Sequence, residues 1–408
     1  MKQVYSSLQL LLLRSVRSTT SGMKMMSSTS STRQGRIWTH QPFEVTPSST
    51  KTTTNPSISY CHLPVQTPKP PLDNRVHSVY QSGGFEAFAQ WCQSKQEFYK
   101  TQFSSRVTAD DLDRIQRRKL PSSSSSSGKG VDVTIYLPPN SKSENEKLHG
   151  ICLHVHGGGW MFGDSQNQVA HRCLEISEVM NVAVVSVDYS LTSTLSDEKV
   201  QNYDPVNEVG TAIDWIENTG VDELNTKPVY VASGESSGAH LLLLAMLKRR
   251  DQSDRILLTS AWKALNLVYG FYDLSGSPSV RANGNESAPI CGNELLCMAD
   301  LYYEKVMQGG NQDEQIDRQH PSISPLYADL SNLPPALISV GTADPLVDDS
   351  LFLASRYSLC GNYVETVLYE GGEHGIGHFG LQENEEMGRR AREHTLQFMK
   401  RYCGSVGS

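Results

Sequence analysis

The chain has 408 residues, 38% of them hydrophobic, and a formal net charge of −8. That length is long for one domain but ordinary for an α/β enzyme with insertions. No stretch reaches the ~18 uninterrupted apolar residues of a membrane-spanning helix, and the acidic balance disfavours nucleic-acid partners, whose phosphates it would repel.

Residues 1–43 carry six basic residues (Lys2, Arg14, Arg17, Lys24, Arg33 and Arg36) and no Asp or Glu. An Arg- and Ser-rich, acid-free leader predicts a transit peptide for mitochondrion or plastid. Leu10–Leu13 is too short a core for a secretory signal, and basic residues flank it on both sides. Starts at Met23, Met25 or Met26 would instead give a cytoplasmic form. With the leader's +6 set aside, residues 44–408 carry −14. Residues 44–74, rich in Thr, Ser and Pro, read as a linker. Residues 75–119 read as helical, with Trp91, Phe98 and Tyr99 among polar residues, and the hexaserine run Ser122–Ser127 as a low-complexity loop.

From Val131 the pattern changes. Val131–Leu137 alternates apolar and polar residues, as an edge strand does. Short apolar runs follow at 150–156, 182–188, 228–232, 265–269 and 336–340, and 363–369 alternates again. Helical candidates lie between them at 168–180, 206–218, 238–250 and 348–360, with a last one at 384–402. This alternation predicts an α/β fold: parallel strands with crossover helices, a doubly wound sheet. Residues 271–325 break the rhythm with Gly, Pro and Asn turns and a helix near 294–307. They read as an insertion over the sheet's carboxyl edge.

Four constellations carry chemistry. Gly234-Glu235-Ser236-Ser237-Gly238 lies between an apolar strand and an apolar helix, where a sharp turn lifts Ser236 above the sheet as a nucleophile. His156-Gly157-Gly158-Gly159-Trp160 follows a strand. Its glycines let the main chain approach a tetrahedral oxyanion, with Gly157, Gly158 and Ser237 as N–H donors, and His156 reads as an anchor of the turn. Asp344 follows the strand 336–340, at the end where doubly wound sheets place catalysts. Asp348 and Asp349 suit N-terminal caps of the next helix better. His374 follows the strand 363–369 and is placed to reach Ser236 with one ring nitrogen and Asp344 with the other. His378 is its rival. Trp160, Phe162, Phe271 and Tyr272 are either pocket-lining or core aromatics.

None of the eight cysteines forms a C-x-x-C pair, and no Cys/His spacing matches a metal site. Cys152 and Cys173 read as core thiols, and Cys291 and Cys297 could pair, though a reducing compartment would keep them as thiols.

HGGGW at 156–160, GESSG at 234–238, Ser324-Pro325, LPP at 333–335, GTADPLVDD at 341–349 and GGEHG at 371–375 together resemble the hormone-sensitive-lipase-like branch of α/β hydrolases, over residues 130–402. The resemblance implies an eight-stranded, mostly parallel sheet. A helical cap would come from residues 75–130 and the insertion at 271–325, on a core spanning 131–408. It implies carboxylester hydrolysis with Ser236, Asp344 and His374 as catalytic residues, small to medium acyl or aryl esters as substrates, and no metal or organic cofactor. The family's usual GDSAG is GESSG here, and its Asp-Tyr-Arg-Leu is Asp188-Tyr189-Ser190-Leu191. Two alternatives stand beside esterase: an amide hydrolase with the same triad, and a non-catalytic ligand receptor on the same fold. Assembly as a homodimer is left open.

Overall fold

Residues 57–62, 76–103, 107–121, 130–139, 146–194, 203–252, 260–282, 290–309, 316–376 and 386–403 are described by a computed structural model. In chain order the elements are β1 (Ser57–His62), α1 (Val76–Phe103), β2 (Ile115–Leu120), β3 (Val131–Tyr136), β4 (Ile151–Val155), α2 (Ala170–Met180) and β5 (Ala183–Asp188). Then come α3 (Pro205–Trp215), β6 (Tyr230–Glu235), α4 (Ser237–Gln252), β7 (Trp262–Val268) and α5 (Gly292–Gly309). Last are β8 (Ala336–Gly341), α6 (Val347–Leu359), β9 (Val364–Glu370) and α7 (Glu386–Cys403).

Nine strands form one sheet in the order β1-β9-β8-β7-β6-β4-β5-β3-β2. All neighbours run parallel except β2 with β3 and β3 with β5. Parallel strands covered on both faces are apolar throughout, and every residue of β4, β6 and β8 is buried. Successive side chains point to opposite faces. Leu153, Val155, Val185 and Leu267 therefore pack one core with Leu241 and Leu242 of α4. Cys152, Val184, Val231 and Leu337 pack the other with Cys173 of α2 and Phe398 of α7. The start of α3 is marked in the sequence: Asp204 accepts from Asn207 N–H at 2.9 Å and Pro205 opens the helix.

The fold corrects three expectations. Residues 57–62, inside the stretch read as a linker, form β1, which pairs with the open edge of β9 and raises the count from eight strands to nine. Its Ser- and Thr-rich surroundings concealed the strand in the sequence. Residues 115–119, read as helix within the cap segment, belong to β2 in the core sheet. β2 consequently covers β3, which is an interior strand and is buried at every position but Asp132. Cys291 and Cys297 are free thiols, as are Cys152 and Cys173, both buried. The leader, the hexaserine run and His378 lie outside the described residues.

Two segments far apart in the chain pack beside the glycine loop. Trp91 of α1 meets Phe162, beyond the glycine triplet, edge-on at 5.8 Å. Tyr302 of α5 stacks on Trp160 at 4.6 Å.

Candidate active site

In a parallel sheet every strand delivers its following loop to the same rim. Here the spatial sequence β9, β8, β7, β6, β4 brings His374, Asp344, Tyr269, Ser236 and Gly157 side by side. Chain order reverses around β4, whose neighbours are β5 on one side and β6 on the other. A crevice opens at such a switch point.

The turn from β6 into α4 forces Ser236 to φ 51°, a left-handed backbone that costs a non-glycine residue on the order of 1–3 kcal/mol. Ser236 N–H donates to Val268 O at 2.9 Å, and Ala239 N–H to Ser236 O at 3.1 Å. The turn also presses α4 against β4: a Cβ on Gly238 would stand 2.2 Å from Val155 O. Only glycine fits there.

Ser236, Asp344 and His374 are 4%, 2% and 5% exposed. His374 Nδ1 lies 2.9 and 3.1 Å from the two carboxylate oxygens of Asp344. A proton on Nδ1, donated to that carboxylate, leaves the Nε2 lone pair 3.0 Å from Ser236 Oγ. Asp344 Oδ1 is fixed by Leu346 N–H at 2.8 Å. The loops bearing Asp344 and His374 are knitted together: Ala343 N–H donates to Gly372 O at 3.0 Å, and Gly371 N–H to Thr342 Oγ1 at 2.8 Å.

The glycine loop borders Ser236: a Cβ on Gly157 would lie 3.2 Å from Ser236 Cβ. Gly158, at φ 119°, has no room for a side chain beside Phe162 O. Gly157 N–H faces Glu235 Oε1 at a long 3.5 Å. Among the described residues nothing accepts from the N–H of Gly158 or Ser237. His156 anchors the turn, stacking on Tyr189 at 4.3 Å and donating from Nδ1 to Gly157 O at 2.7 Å.

A sequence model described as the alpha/beta hydrolase fold matches residues 152–378, more than half of the chain. The chain belongs to the alpha/beta hydrolase fold family. It is 28% identical over 228 residues to an esterase of Acinetobacter venetianus, a match covering 54% of this chain and 65% of that relative. Identity to a carboxylesterase of Mycobacterium tuberculosis is 27% over 256 residues, covering 62% of this chain and 72% of the relative. Among solved structures, an esterase of the archaeon Pyrobaculum calidifontis superposes with a TM-score of 0.61 at 24% identity, covering 76% of this chain and 93% of that one.

Within this hydrolase fold, Trp160, Phe162, Phe271 and Tyr272 are all buried members of the main core. Trp160 packs on Phe271 at 5.9 Å, which favours the core reading of these aromatics. Asp348 and Asp349 do not cap α6. Asp349 is fully buried and accepts from Tyr272 N–H at 2.7 Å and Asp273 N–H at 2.8 Å, while Asp348 accepts from Ser279 N–H at 2.8 Å. Both tie the cap insertion to the core. Burial, ahead of the neighbouring Asp273 charge, pushes the Asp349 carboxyl up to about 7. A groove of about 660 Å³ opens between the insertion's own segments, along Leu274, Arg281, Leu296 and Arg318, and its lining includes none of the candidate triad.

Two residues by the triad escaped the sequence reading. Tyr269, at φ 35°, directly follows β7, which lies between the strands leading to Ser236 and Asp344. Its ring meets His374 edge-on at 4.8 Å, and its hydroxyl donates to Glu235 Oε2 at 3.1 Å. Its place at the end of β7 was the available signal. His240, one helical turn after Ser236, is fully buried. No described cluster of His, Cys, Asp and Glu has the arrangement of a metal site, and no described helix is long and apolar enough to cross a membrane.

Proposed function

We propose that this protein is a serine hydrolase that cleaves small to medium acyl or aryl carboxylic esters through a covalent acyl-enzyme. The observation that carries the proposal is the buried, continuous chain of hydrogen bonds Asp344–His374–Ser236, with the serine held in a strained left-handed turn. The esterase and carboxylesterase relatives support the same substrate class.

In this reading His374 Nε2 takes the Ser236 proton as Oγ attacks the ester carbonyl. The negative charge developing on the carbonyl oxygen is met by the Gly158 and Ser237 N–H groups, joined by Gly157 once it turns from Glu235. His374 then protonates the leaving alcohol. Water, deprotonated by the same nitrogen, hydrolyses the acyl-enzyme, and the buried Asp344 carboxylate orients the imidazole and balances its transient positive charge.

Purified protein is expected to hydrolyse p-nitrophenyl acetate and to be labelled at Ser236 by a fluorophosphonate, with Ser236→Ala losing both. Wild-type turnover in the alanine variant would refute the assignment. An unlabelled serine in the native protein would favour a receptor. A matched ester and amide pair, compared by kcat/KM, separates esterase from amidase. Faster amide cleavage would overturn the substrate class while leaving the triad standing.

A further inference from the structure

His240 stands one turn beyond Ser236 on α4, at 0% exposure. Its two ring nitrogens face two different parts of the molecule. Trp160 Nε1–H donates to Nδ1 at 3.3 Å, and Nε2 lies 2.8 Å from Ile323 O. An indole N–H only donates and a carbonyl only accepts. Nδ1 must therefore be bare and Nε2 must carry the proton, and a second proton would collide with the indole. Burial acts in the same direction, lowering the His240 pKa to about 4 and keeping the ring neutral. Tyr302 completes the cluster, edge-on to His240 at 5.6 Å.

The three groups joined here have separate roles. Trp160 ends the glycine loop at φ 63°, another strained left-handed position. Ile323 and Tyr302 belong to the cap insertion. His240 itself is fixed to the serine turn, since its N–H donates to Ser236 O at 3.3 Å. We propose that His240 is a positioning residue, through which the serine helix sets the glycine loop with one ring nitrogen and the cap insertion with the other. The proposal rests on the reading of Ser236, His374 and Asp344 as the catalytic triad. It divides the ring's work: the Trp160 bond aligns the oxyanion donors and is felt in kcat, whereas the Ile323 bond holds the cap over the substrate and is felt in KM.

Two substitutions separate these bonds. His240→Asn puts an amide oxygen near the place of Nδ1 and gives up Ile323. His240→Gln extends an amide N–H toward Ile323 and gives up Trp160. With p-nitrophenyl acetate as substrate and the full chain labelled with ¹⁵N at its tryptophan indoles, His240→Gln is expected to lower kcat about tenfold or more. The Trp160 indole resonance should move with it. His240→Asn should recover most of that kcat, leave the indole resonance near its native position and raise KM about threefold. Equal effects of both variants on kcat and KM, or an unmoved Trp160 resonance in the glutamine variant, would overturn the proposal. If the glutamine variant does not fold, Trp160→Phe removes the same N–H with His240 intact and should reproduce the loss of kcat; unchanged kcat there sinks the idea. Failure of the triad reading is distinguishable. In that case Ser236→Ala remains active whatever stands at 240.

Discussion

Ser236, His374 and Asp344 are joined through the two ring nitrogens of His374, Nε2 facing the hydroxyl and Nδ1 the carboxylate. Asp344→Asn keeps the size of the side chain but can present an amide N–H to Nδ1, which then becomes the acceptor and leaves the proton on Nε2, facing Ser236. Turnover of p-nitrophenyl acetate is expected to fall about 10³-fold or more, with little change in thermal unfolding. A fall below tenfold would mean that Asp344 does not set the tautomer. Glu235 matters on this scale as well. A buried carboxylate that accepts from the Tyr269 hydroxyl at 3.1 Å and faces Gly157 N–H joins the residue before Ser236 to the ring flanking His374.

At the level of elements, β1 pairs through its backbone with β9 along Ser57–His62. Deleting residues 1–62 uncovers the hydrogen-bonding edge of β9, whereas deleting residues 1–56 does not. The longer deletion should melt about 2–4 °C lower than the shorter and aggregate more readily. Equal melting temperatures would show that β1 contributes nothing to the sheet. The junction of α6 with residues 272–279 is expected to respond to pH. Asp349 holds its proton up to about pH 7 in the folded chain, whereas an unfolded aspartate loses it near ~3.9. Between those values the folded state binds the extra proton, so stability is greatest at the acid end of the window and declines as pH rises through it. The facing charge is Asp273, which pushes in the same direction, while the Ser277 hydroxyl and the Tyr272 and Asp273 N–H groups favour the carboxylate. Asp349→Asn keeps the acceptor oxygen without the charge. Its melting temperature should exceed wild type above pH 7, and the decline between about pH 4 and 7 should flatten. A parallel decline in both proteins would assign it to other groups.

For the whole molecule, charge constrains partners more than fold does. Residues 44–408 carry −14, so the protein lacking its first 43 residues is expected to pass unretained through a DNA column at low salt, where electrostatic attraction is strongest. Retention would indicate a local basic surface that the net charge conceals.

The sequence by itself determined the strands from β3 to β9 and singled out Ser236, Asp344 and His374 as the candidate triad. Both were written locally, in apolar runs bounded by turns and in glycines where the serine turn leaves no space for a Cβ. It also marked Asp344 and His374 by their places just beyond strands. It could not reveal β1 or β2, because an edge strand gains most of its stability from a partner's backbone rather than from its own apolar pattern. Asp349 looked like a helix cap because capping is a local habit of aspartate. Only packing showed it turned inward, to the N–H groups of residues 272 and 273. The links from Tyr269 to His374 and from His240 to Trp160 and Ile323 were likewise decided by the tertiary structure. They join residues dozens of positions apart, and no short-range pattern records which side chains the strand order will bring into contact.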